Sequence, residues 1–93
     1  MNKYELTVVI SGKATPAKQK AAVEKVKKLI EELKGKIEKM DEWGKIDLMY
    51  KIEGNESGVF FLFNIELDPA NTKKMSDKLN TEEDVIRFLV VRV

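Results

Sequence analysis

The chain has 93 residues, 43% of them hydrophobic and 35% charged, which suits one globular domain (1–93) with a modest core. It has no cysteine and no histidine. Disulfides, thiolate nucleophiles and cysteine-based zinc sites are therefore excluded, and the commonest general base and transition-metal ligand is missing. The net charge of +1, from 17 basic and 16 acidic residues, gives no general pull toward nucleic acid, although lysines crowd between Lys13 and Lys39 and leave room for local patches.

Tyr4 to Ile10 reads as the first strand, with Tyr4, Leu6, Val8 and Ile10 alternating against Glu5, Thr7 and Val9. Ser11 to Ala14 is a loop. Thr15-Pro16 then opens a helix, because threonine caps and proline suits the first helical position. Ala22, Val26, Leu29, Ile30 and Leu33 follow at helical spacing, and Gly35 sits where a C-terminal glycine cap belongs. Lys36 to Lys51 reads as a long second strand, bulged near Trp43-Gly44 because its apolar residues keep no single alternation. Glu53 to Gly58 is a polar turn. Val59 to Leu67 is the third strand, apolar on both faces as a central strand should be. Asp68-Pro69 opens a second helix with a thin core stripe of Met75, Leu79 and Thr72, ending at Asn80. Thr81 to Asp84 is a loop, and Val85 to Val93 the last strand.

The order βαββαβ predicts an α+β domain of ferredoxin-like architecture. Its four-stranded antiparallel sheet has the order 4-1-3-2, with both helices on one face. Alternation directs Leu6, Val8, Phe61, Phe63, Ile65, Phe88 and Val90 toward the helices. Phe60, Leu62, Asn64, Glu66, Arg87, Leu89 and Val91 then lie on the open face with Glu5, Thr7 and Val9. An apolar group of this kind on an uncovered face marks a partner surface more often than a merely solvated sheet.

The sequence offers little for catalysis. Asp41, Glu42 and Asp47 have no histidine, cysteine or serine motif to work with, and charges on strand edges are commonly solvated. The segment GNESG at 54–58 lacks the Gly-Lys-Ser/Thr ending of a phosphate loop and is explained by turn chemistry. Strand three is a weak match to the RNA-stacking strand of RRM domains, with Ser57 and Val59 at the basic and first stacking positions. The lysines of the first helix interleave with Glu24, Glu31 and Glu32, as on a solubilising face. No enzymatic activity, metal, cofactor or small-molecule substrate is expected. No stretch is long enough to span a bilayer, and Met1 to Glu5 runs straight into a strand pattern, so no membrane partner or leader is expected either.

Lys3-Tyr4-Glu5, Trp43-Gly44-Lys45 with Leu48, Tyr50 and Ile52, Gly58 followed by the strand ending Asn64-Ile65-Glu66, and Val85 to Arg92 stand out as four segments. Taken together, in this order, they resemble the bacterial small-subunit ribosomal protein S6 family. The sequence departs from the family pattern at Ile46, Asp47, Lys51, Glu53 and Glu56. The resemblance implies a structural protein of the cytoplasmic ribosome that binds the central domain of small-subunit ribosomal RNA as a pair with ribosomal protein S18. It implies Lys3, Lys45, Lys51, Arg87 and Arg92 as RNA or interface contacts, since basic side chains neutralise phosphates. Phe60, Leu62, Leu89 and Val91 are the implied protein-partner contacts. A stand-alone protein-interaction or small-ligand regulatory module of the same fold is the alternative.

Overall fold

The computed structural model describes the backbone of residues 1–52 and 55–93 and the side chains of 1–48 and 57–93. The elements follow the expected order: β1 (Asn2–Ser11), α1 (Pro16–Glu32), β2 (Lys36–Ile52), β3 (Asn55–Leu67), a 3-10 turn (Pro69–Asn71), α2 (Thr72–Thr81) and β4 (Val85–Arg92). The sheet order is β2-β3-β1-β4 with every neighbouring pair antiparallel. This is the ferredoxin-like order expected from the sequence, with β1 and β3 central.

Alternation within the two central strands decides what the helices cover. In register, Tyr4 faces Ile65, Leu6 faces Phe63, Val8 faces Phe61 and Ile10 faces Val59. All eight are buried and join Ala22, Val23, Val26 and Ile30 of α1 and Met75 and Leu79 of α2 in one core. Phe63 is fully buried at its centre. Covering a side chain of that size contributes roughly 1.5–3 kcal/mol.

The ends of α1 are set by local hydrogen bonds. The Lys18 amide donates to the Thr15 hydroxyl at 3.3 Å, so the threonine caps as expected. At the other end Lys34 donates to the Glu31 carbonyl at 2.9 Å and Gly35 to the Ile30 carbonyl at 2.8 Å. This is a Schellman closure, in which the left-handed position falls to Lys34 (φ 60°) and not to Gly35. Gly35 is needed for a different reason: a Cβ there would stand 2.8 Å from the Glu66 carbonyl oxygen and 2.8 Å from Leu67 Cδ1. The second helix also differs from expectation. Asp68 accepts from the Ala70 amide at 3.0 Å and opens the 3-10 turn, so the α-helix begins only at Thr72. The Asn71 amide group donates across to the Leu33 carbonyl at 3.0 Å, joining the start of α2 to the end of α1.

The β2–β3 hairpin is longer than the alternation suggested. Strand β3 begins at Asn55, so 55–58 are ladder and not turn; Glu53-Gly54 lies outside the described residues. Strand β2 shifts register between Ile37 and Lys39 and again between Glu42 and Gly44. Gly44 takes φ +83° at the second shift, the bulge anticipated near Trp43-Gly44.

Candidate interaction surface

On the face away from the helices, β1 forms the spine of four cross-strand rows. Lys3 lies opposite Glu66 of β3. Glu5 lies between Asn64 and Val91, Thr7 between Leu62 and Leu89, and Val9 between Phe60 and Arg87. Directly opposed residues in an antiparallel pair share a face, with side chains close enough to touch. Phe60, Leu62, Leu89 and Val91 therefore occupy one side of the sheet, as alternation indicated. Leu89 is 61% and Val91 46% exposed, whereas Val9 is only 4% exposed.

The burial of Val9 on an otherwise open face has a local cause. A Cβ on Gly58 would stand 2.5 Å from Val9 Cγ1 and 3.6 Å from Phe60 Cε1. The missing side chain at Gly58 is the space that Val9 fills and the Phe60 ring borders. Strand β2 extends the surface at its edge: Ile46, 39% exposed, lies opposite Gly58, and Trp43, 56% exposed, stands at the bulge. The sequence marks Ile46 as a departure from the family pattern and does not by itself assign it to a face. Its pairing with a glycine on an outward register position is the signal that places it here.

The basic residues implied by the resemblance are not gathered on one face. Arg87, opposite Val9, is on the open side and makes no ion pair among the described residues. Lys3 is on the same side near the other end of β1. Its ammonium lies 3.7 Å from Glu38 Oε1 and 4.0 Å from Glu66 Oε1. Exposed pairs of this kind contribute about 0–1 kcal/mol, but they offset the lysine's charge locally. Arg92 lies opposite Tyr4 and Lys45 opposite Val59. Tyr4 and Val59 belong to the helix-side core, so Arg92 and Lys45 project from the helix side of the sheet, at its two edge strands. The side chain of Lys51 lies outside the described residues.

Catalytic and metal chemistry find no assembled site among the described residues. Asp41 lies opposite Leu62 and Glu42 opposite Phe61, so the two carboxylates fall on opposite faces. No group of three or more acidic, histidine or cysteine side chains could hold a metal ion among the described residues. The cleft between α1 and β2 measures about 360 Å³ and has Val23, Met40 and Phe61 beside Lys20, Glu24 and Glu42, with no convergent set of polar groups. No helix among the described residues is long and apolar enough to cross a membrane.

A ferredoxin-like domain with one helix-covered face and one open, partly apolar face is the frame of many binding proteins, and the fold by itself does not choose among them. The sequence does: it matches the ribosomal protein S6 family over residues 3–92, and the chain belongs to that family. Similar relatives include the small ribosomal subunit protein bS6 of Caulobacter sp. (strain K31), 37% identical over 97% of this chain and 71% of that one. The bS6 of Alkaliphilus metalliredigens is 34% identical over 100% and 98%. The crystal structure of 30S ribosomal protein S6 from Thermotoga maritima superposes with a TM-score of 0.93, at 27% identity, covering 99% of this chain and 87% of that one. The P2 domain of a chemotaxis kinase, at 16% identity and a TM-score of 0.60, shares the fold alone. The family consists of structural components of the small ribosomal subunit and not of enzymes.

Proposed function

We propose that this chain works in the small ribosomal subunit, and so in the cytoplasm, by binding the central domain of the ribosomal RNA together with ribosomal protein S18. Phe60, Leu62, Leu89 and Val91 meet the protein partner. Lys3, Lys45, Lys51, Arg87 and Arg92 meet phosphates or the rim of the partner. The observation that carries this reading is the open face itself. Leu62 and Leu89 flank Thr7, and one row along, Arg87, without an ion pair among the described residues, stands beside Val9 across from Phe60. An apolar centre with a cation at its margin is what a joint protein and RNA surface requires, since the apolar part gains from burial and the cation releases counterions. The near-zero net charge agrees with a protein that docks through a few local cations and not through a general basic coat.

Co-sedimentation tests the reading. The chain should travel with small subunits, and its affinity for a central-domain RNA fragment in the presence of S18 should fall steeply as salt rises. A chain that stays in the soluble fraction and shows a thermal shift with small metabolites would instead support a regulatory module.

A further inference from the structure

The two edges of the sheet are built differently. Strand β2 carries Lys36, Glu38, Lys39, Asp41, Glu42, Lys45 and Asp47 and three register shifts. Charges and bulges are the devices that keep an edge strand from pairing with another chain. Strand β4 reads VIRFLVVR, with a single charge before its last residue, and its one register shift falls at its start, between Arg87 and Val85. From Arg87 onward the strand is regular, and Leu89, Val91 and Val93 beside it are exposed.

The backbone fixes which groups that edge offers. The Val93 amide donates to the Lys3 carbonyl at 3.0 Å, so Lys3 and Val93 form a hydrogen-bonded pair of the β1–β4 ladder. Antiparallel ladders alternate. Arg87, Leu89 and Val91 therefore also turn their backbone groups toward β1, while Phe88, Val90 and Arg92 turn theirs outward.

We propose that β4 pairs with β4 of a second copy about a two-fold axis at Val90, continuing the sheet from one subunit into the next. Only registers that bring Phe88, Val90 and Arg92 against one another satisfy the outward backbone groups. Centring on Phe88 or Leu89 would draw Ile86, at the register shift, into the ladder. Centring on Val90 avoids it and gives complementary rows. On the open face, Leu89 meets Val91 of the second copy, and Val91 meets Leu89, so both exposed apolar side chains are covered. On the helix side, Arg92 meets Phe88 of the second copy, setting a guanidinium against an aromatic ring in both halves of the pair. A self-complementary patch of this kind is what a closed two-fold contact requires. The inference rests on the edge geometry; because the second copy covers Leu89 and Val91, it competes for them with the ribosomal partner proposed above, so the dimer belongs to the free chain.

The absence of cysteine makes the test direct. Sedimentation should show a dimer that grows with concentration, and Leu89→Lys, a change at an exposed position, should lower the dimer fraction while circular dichroism stays unchanged. Under mild oxidation Val90→Cys, which sits on the axis, should cross-link, because paired Cα atoms at the ladder spacing of about 5.5 Å lie within disulfide reach. Leu62→Cys, in the middle of the open face, should not. Amide exchange in the unmodified chain gives a check that needs no substitution: Phe88, Val90 and Arg92 should gain protection as concentration rises. A chain that stays monomeric at every concentration, with those amides unprotected, overturns the proposal. So does a dimer that cross-links through Leu62→Cys and not through Val90→Cys, which would be joined face to face.

Discussion

Phe60 and Arg87 stand in the same cross-strand row of the open face, on either side of Val9. One is the aromatic ring of that face's central strands and the other a cation without an ion pair among the described residues. Their shared row is set by two antiparallel registers meeting on β1, so whatever docks on the ring also meets the guanidinium.

The floor of that row depends on Gly58. Replacing it by alanine puts a Cβ 2.5 Å from Val9 Cγ1, closer than carbon atoms approach, and the neighbours must move. Gly58→Ala should cost about 1–3 kcal/mol as an overpacking change, measured by urea denaturation, and should weaken docking on the open face by displacing Phe60. Unchanged stability would show that Val9 yields freely.

The core makes a separate demand. Phe63 is fully buried between the helices and the sheet, and Phe63→Ala should lower stability by about 3–5 kcal/mol. Phe60→Ala, three residues earlier on the half-buried open side, should cost distinctly less. Equal shifts in the denaturation midpoints would contradict the assignment of faces.

Asn71 ties α2 to α1 through its hydrogen bond to the Leu33 carbonyl. Asn71→Asp removes the donor with almost no change of shape. It should cost about 0.5–1.5 kcal/mol and raise amide exchange at the end of α1 and the start of α2 before the rest of the domain. A uniform change across the molecule would deny that link a local role.

The face assignments were legible because alternation is a period-two signal that neither β1 nor β3 interrupts: each core residue from Tyr4 to Ile10 and from Val59 to Ile65 falls where the sequence puts it. The sides of Met40 and Glu42 were not legible, because the extra residue between Ile37 and Lys39 reverses which side the following residues face; the one between Glu42 and Gly44 restores it, so Lys45 again shares the side of Ile37. The cap at the end of α1 was misread for a related reason. A glycine after a helix usually supplies the left-handed residue, but here Lys34 does so, and Gly35 makes way for the Glu66 carbonyl 2.8 Å away, a long-range contact no local pattern carries. The four-segment resemblance located the family, while the distribution of the basic residues over two faces emerged only from the ladder.

That distribution has a measurable consequence. Arg87 and Lys45 lie on opposite sides of the sheet, on β4 and β2. Without a shared partner group, the effects of Arg87→Ala and Lys45→Ala on RNA affinity should add within about 0.5 kcal/mol. A double variant weaker or stronger than the sum would mean that one RNA segment bridges both residues.

The most direct measurement is a gel-shift titration of the central-domain ribosomal RNA fragment with S18, comparing the parent chain with Arg87→Ala, and with Lys20→Ala on the helix side as a control. Losing one phosphate contact from an otherwise intact surface should reduce affinity about tenfold, or about 1.4 kcal/mol, for Arg87→Ala, with Lys20→Ala close to the parent. Equal affinity of all three chains, or no complex with the parent, would contradict the assignment of the open face as the ribosomal docking surface.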